Sequence, residues 1–152
     1  MRVRSLFISD VHLGTWGCQA EALLDFLDRN EADTLYLVGD IIDGWKMKSG
    51  WYGPAINNEI VRLVMKKAAR GTRVIYVPGN HDEARSLQQS LGDGPLQYTS
   101  HAHHGNWHFI FLDSTIPDSE AANLSPETLQ TLETLLQSAP TDHTLVCLHH
   151  QP

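Results

Sequence analysis

Three short stretches of this chain carry residues able to do chemistry together: Asp10-Val11-His12, Gly39-Asp40-Ile41-Ile42-Asp43-Gly44 and Gly79-Asn80-His81-Asp82. Each supplies oxygen or nitrogen donors directly after an apolar, β-prone run. Asp10 and His12, at i and i+2 on an extended segment, project to one side, so one cation can take both. Asp40 can reach the same cation with one carboxylate oxygen and give the other to a second ion, for which Asn80 offers a neutral carbonyl. A mixed carboxylate, amide and imidazole set suits borderline or hard divalent ions such as Mn²⁺, Fe²⁺ or Zn²⁺, and not a thiolate-type structural zinc. Two such ions about 4 Å apart would hold a hydroxide between them and clamp a phosphoryl group for in-line attack. Any one stretch alone is an ordinary turn or loop; their joint placement carries the reading.

The elements that must position these donors follow from hydrophobic period. Residues 3–9, 34–38 and 72–77 read as buried strands. Between them, Ala20, Leu23, Leu24 and Leu27 recur at helical spacing within residues 19–30, and Ile56, Ile60, Leu63 and Val64 share one side of residues 54–70. Lys66, Lys67 and Arg70 suit the negative end of that second helix, and Gly71 is the expected terminator. Strand–helix–strand–helix–strand order predicts a parallel sheet with right-handed crossovers. The donors then fall at its carboxyl edge, where open α/β sheets bind ligands. Residues 83–91 read as a short helix. Residues 96–100 and 106–112 read as an antiparallel hairpin with His101, His103 and His104 in a solvated turn, a better role for them than makeshift ligands. Ser125-Pro126 begins a last helix with Leu129, Leu132, Leu135 and Leu136 on its apolar side, and residues 144–148 are a last strand.

Trp45, Trp51 and Tyr52 sit among glycines and lysines in a stretch that fits neither period. They either fold down onto the domain or form an apolar wall beside the site, able to receive an acyl chain or a base or to meet a second subunit. With 11 Lys+Arg against 18 Asp+Glu, the formal charge of −7 excludes binding a nucleic-acid polymer through bulk electrostatics. Cys18 and Cys147 are too few and too scattered for a disulfide framework, which points to a reduced, cytoplasmic protein. Met1-Arg2-Val3-Arg4 runs into a strand pattern without a signal-peptide signature, and no run is long enough to cross a bilayer. The 152 residues suit one domain.

The three motifs in this order, with a late His149 after a strand, resemble the calcineurin-like metallophosphoesterases. The resemblance implies an α/β fold, the α-β-β-α sandwich of that family, incomplete at the C-terminus. It implies that Asp10, His12 and Asp40 hold a first metal, with Asp40 bridging, and that Asn80 and His149 serve a second. His81 would lie over the substrate as general acid or oxyanion stabiliser, paired with Asp43; a carboxylate on the far ring nitrogen fixes the tautomer and supports the imidazolium. The implied activity is hydrolysis of a phosphodiester or diphosphate bond in a nucleotide-containing substrate, with peripheral membrane contact only if that substrate is acylated.

Residues 1–84 look most like proteins that hydrolyse UDP-2,3-diacylglucosamine at its diphosphate, through Ser9-Asp10-Val11-His12-Leu13-Gly14 and Leu37-Val38-Gly39-Asp40-Ile41-Ile42-Asp43-Gly44-Trp45. Residues 85–152 look like cyclic-AMP phosphodiesterases, through Gly94-Pro95-Leu96-Gln97-Tyr98-Thr99-Ser100-His101, Phe111-Leu112-Asp113-Ser114 and Leu148-His149-His150. A single domain over 1–152 with a join near 83–86 is expected. The family places a Gly-His-x-His motif downstream of the position of His149, and the sequence stops before it. A truncated or chimeric product, each metal short of one imidazole, with weak metal binding and impaired activity, is the expectation. A binding scaffold on the same fold, or a sugar-nucleotide module resting on the Trp45–Tyr52 aromatics, are the alternatives.

Overall fold

A computed structural model describes residues 1–43, 55–77, 79, 96–116, 119–138 and 143–150. Trp45, Trp51, Tyr52, Asn80, His81, the helix expected at 83–91 and the join expected near 83–86 lie outside the described residues.

The first half folds as β1 (Arg2–Ser9), α1 (Ala20–Arg29), β2 (Glu31–Val38), α2 (Ala55–Ala69) and β3 (Arg73–Val77), followed by a short β4 (Leu96–Tyr98). The sheet runs β1-β2-β3-β4 with every pairing parallel. Register puts Ser9 beside Val38 and Val38 beside Val77, so the first three strands end level with one another. The apolar runs of β2 and β3 are continuous because both faces of the sheet are covered there, whereas β1, expected to be buried, lies at the sheet edge and has no fully buried residue. On one face Leu35, Leu37, Val74 and Tyr76 pack with Leu27 of α1 and Ile60 and Val64 of α2. On the other, Tyr36, Ile75 and Val77 pack with Ala102, Phe109 and Phe111 of a second sheet. Tyr36 stacks on Phe7 at 4.5 Å between ring centres and lies 5.5 Å from Phe109, which joins the layers. A side chain as enclosed as Ile75, 0% exposed, contributes about 1.5–3 kcal/mol.

That second sheet contains β5 (His101–His104) and β6 (Trp107–Leu112), paired antiparallel. After β6 come a small hairpin, β7 (Thr115–Ile116) with β8 (Ser119–Ala122), then α3 (Pro126–Ser138) and β9 (His143–Leu148), which lies parallel to β6 at the edge. The hairpin therefore departs from the expected one. The histidines are its first strand and not its turn, because His-Ala-His alternation sends Ala102 into the core between the sheets. The turn is left to Gly105 and Asn106, with Gly105 at φ +62°. Residues 96–98, expected to pair with β6, join β3 instead.

The last helix starts as expected, with the Thr128 N–H donating to Ser125 Oγ at 3.1 Å. Its leucine side is only partly covered: Leu132 and Leu135 are half-buried, whereas Leu129 and Leu136 are exposed. Both Cys18 and Cys147 are unbonded. Among the described residues no helix is long and apolar enough to cross a membrane.

Candidate functional site

Past the ends of β1 and β2 the two loops stay hydrogen-bonded to one another. Asp10 N–H donates to Gly39 O at 3.2 Å, His12 N–H to Asp40 O at 2.7 Å, and Leu13 N–H to Ile41 O at 2.9 Å. Asp43 N–H returns to Leu13 O at 3.1 Å, and Gly39 N–H ties the pair to Val77 O of β3 at 2.7 Å. The sheet edge is thus continued into the loops, and the donors ride on fixed backbone.

The segment from Asp10 to His12 is not extended. Asp10, His12 and Asp40 have φ values of 52°, 51° and 51°, a left-handed conformation that costs an L-residue about 1–2 kcal/mol, although Asp reaches it more readily than most. Asp10 and His12 therefore do not share a side through strand alternation as expected, since left-handed residues re-aim each side chain. His12 turns toward the second loop: Nε2 lies 3.7 Å from Asp40 Oδ2, and Nδ1 lies 3.6 Å from Asp43 Oδ2. Asp10 faces His149, whose Nδ1 is 4.0 Å from Asp10 Oδ1 and whose Nε2 is 3.2 Å from Asp40 Oδ2.

One donor atom each from Asp10, Asp40 and His149 lies within 4.8 Å of the others. Asp40 stands at the centre, 2% exposed, with an imidazole on either flank; Asp43 is 3% exposed. A carboxylate so enclosed needs cationic or hydrogen-bonding partners to remain charged. Two carboxylates and an imidazole converging from separate loops fit a divalent ion that accepts oxygen and nitrogen ligands.

Two glycines make room for this gathering, a role not read from the sequence. A Cβ on Gly39, at φ +65°, would lie 2.6 Å from His149 Cγ, inside the ring's contact distance. A Cβ on Gly79 would press on the Asp40 carboxylate and lie 2.6 Å from Asp40 N. His149 and Asp40 are thus seated against bare backbone. Ser114 was also missed: buried just past β6, its Oγ lies 2.8 Å from His150 Nδ1 and anchors the residue next to His149. Its place two residues past the apolar run of residues 109–112 is the signal that could have found it.

A parallel β-α-β-α-β sheet backed by a second sheet, with acid and imidazole donors at its carboxyl edge, is the metallophosphoesterase class of α/β sandwich. The chain belongs to the calcineurin-like phosphoesterase family, whose family model matches residues 3–152. A 3',5'-cyclic-nucleotide phosphodiesterase of Nostoc sp. (strain PCC 7120) is 32% identical over 124 residues, which are 82% of this chain and 43% of the relative. A UDP-2,3-diacylglucosamine hydrolase of Chromohalobacter salexigens is 33% identical over 81 residues, 51% of this chain and 32% of that protein. The chain spans less than half the length of either. A crystal structure of a protein of unknown function from Aquifex aeolicus shares the fold, with a TM-score of 0.50 and 20% identity, over 97% of this chain and 80% of that one.

Proposed function

We propose that this chain carries the metal-binding part of a phosphoesterase that hydrolyses a phosphodiester or diphosphate bond in a nucleotide-containing substrate. The observation that supports it is the meeting of Asp10, Asp40 and His149 at one sheet edge, with His12 against Asp40. The substrates named for the two relatives, a cyclic nucleotide and UDP-2,3-diacylglucosamine, share a nucleoside phosphate. Asp10, His12 and Asp40 would hold one divalent ion, and Asp40, Asn80 and His149 a second, of the Mn²⁺, Fe²⁺ or Zn²⁺ kind. When bound, such ions neutralise charge on the phosphoryl oxygens and supply a nucleophile at neutral pH.

The chain's own residues have separable tasks in this reading. Asp40, buried between two imidazoles, holds its carboxylate in one orientation. Asp43 faces His12 Nδ1 and fixes that ring, leaving Nε2 toward Asp40, and it would also serve as the carboxylate partner of His81. His81 would act over the substrate as general acid or oxyanion stabiliser, and Trp45, Trp51 and Tyr52 would form the apolar wall that receives the base or acyl group. The reaction is placed in the cytoplasm, in keeping with two unbonded cysteines.

The test is hydrolysis of bis(p-nitrophenyl) phosphate with added Mn²⁺. Asp40→Asn lowers kcat by more than about 100-fold and Asp43→Asn by about 10–100-fold, as removing a ligand and an orienting partner do. Activity indifferent to a chelator overturns the proposal.

A further inference from the structure

We propose a second metal site, built from His101, His103 and His108, on the outer face of the β5–β6 hairpin. His103 and His108 stand directly opposite one another across the antiparallel pair, and His101 is two residues along the same strand. Ala102, Phe109 and Phe111 point into the core between the sheets, so the alternation of a strand puts all three histidines on the opposite face. Their ring centres are 4.3 Å apart for His103 and His108, 5.6 Å for His101 and His108, and 5.9 Å for His101 and His103. A triangle of that size has a point about 3 Å from every ring centre, the separation that a metal–nitrogen bond of about 2.0–2.1 Å sets; as the rings now lie, however, their nitrogens are not gathered as the donors of Asp10, Asp40 and His149 are, and the site forms only when the exposed rings turn.

His108 is the observation that points to a ligand. It is 1% exposed, and neither of its ring nitrogens has a hydrogen-bond partner among the described residues. Buried polar atoms are nearly always satisfied, so a wholly unpaired imidazole calls for an explanation. Burial, and then the neighbouring His103 and His101, disfavour its charged form. The other two rings are exposed and can turn. His103 now stacks on His108 at an interplanar angle of 6°, and rotation of its ring is what closes the set. His101 has Nδ1 3.5 Å from Ser100 Oγ, which leaves Nε2 for the ion.

The chemistry differs from that of the first site. Three neutral imidazoles without a carboxylate select a borderline transition ion such as Zn²⁺ and discriminate against Mg²⁺ or Ca²⁺, which take oxygen ligands. An ion there would clip β5 to β6.

The experiment is titration of Zn²⁺ into an Asp10→Asn/Asp40→Asn double variant, which removes the first site, read by calorimetry and by the NMR signals of the histidine rings. The expected result is one equivalent bound, with the ring signals of His101, His103 and His108 moving together, and no such movement with Mg²⁺. Adding His101→Asn and His103→Asn, both at exposed positions, lowers Zn²⁺ affinity at least tenfold, while the same pair in the wild-type chain leaves Mn²⁺-dependent diester hydrolysis unchanged. Ring signals that stay still at one equivalent of Zn²⁺, or an affinity that survives loss of both exposed histidines, overturns the site. Neither result bears on the Asp10 and Asp40 centre.

Discussion

Replacing Gly39 by alanine separates two effects that the structure superimposes. The first is conformational: at φ +65° an alanine is strained by about 1–2 kcal/mol. The second is steric, because the new Cβ would stand 2.6 Å from His149 Cγ, against about 3.5–4.0 Å for an ordinary carbon–carbon contact. The ring must retreat by roughly 1 Å, several times the tolerance of about 0.2 Å that a metal–ligand distance allows. Gly105 isolates the first effect, since it has φ +62° and nothing within 4 Å of the place its Cβ would take. The entropy that alanine removes from the unfolded chain is common to both positions and cancels in the comparison. Gly105→Ala is expected to lower Tm by about 2–8 °C, from about 1–2 kcal/mol in a domain of this size. Gly39→Ala lowers it further, and it alone weakens Mn²⁺ binding by more than about tenfold, as even outer contacts to a ligand do. Differential scanning calorimetry and Mn²⁺ titration of the two variants side by side read both quantities. Equal Tm values together with equal Mn²⁺ affinities would refute the claim that Gly39 seats His149.

Gly79→Ala presses on Asp40 backbone as well as its carboxylate; it is expected to reduce diester hydrolysis at least as far as Asp43→Asn, measured at saturating Mn²⁺. Ser125→Ala removes the oxygen that accepts from Thr128 N–H and costs about 1 kcal/mol, seen as a lower urea midpoint with unchanged kcat. Acid weakens the fold through His108, whose folded pKa lies below the ordinary 6.5 because of burial. Below 6.5 the unfolded chain binds a proton that the folded chain refuses, so stability from this group is complete above that pH and is lost as pH falls toward the folded value. Urea midpoints compared between about pH 7.5 and 5.5 check this, and His108→Gln flattens the slope.

The parallel core was legible because its signals are redundant. Continuous runs such as Leu35-Tyr36-Leu37-Val38 fix buried strands, and the stripes through Leu27 and through Ile60 and Val64 fix the helices that cover them. Strand ends in register then bring Asp10 and Asp40 together. What was not legible depends on backbone that the residue types do not announce. The left-handed turns at Asp10 and His12 have no glycine beside them, and Gly39 marks only its own place and not the left-handed Asp40 that follows, so the approach of His12 to Asp43 was not foreseen. The β5 strand was hidden by its composition, for in His-Ala-His the inward residue is the smallest side chain that still alternates. Thr115–Ile116 and Ser119–Ala122 are too short for a periodic signal. The leucines of α3 show the converse failure, an apolar side with too little packed upon it for Leu129 and Leu136 to be covered.

The three left-handed residues have an evolutionary corollary. Strain of about 1 kcal/mol or more at each is something folding by itself would discard, since glycine reaches the same dihedrals freely. Positions 10, 12 and 40 of this chain hold Asp, His and Asp nonetheless. A library randomised there and screened only for heat resistance will drift to glycine; one screened for turnover will drift back.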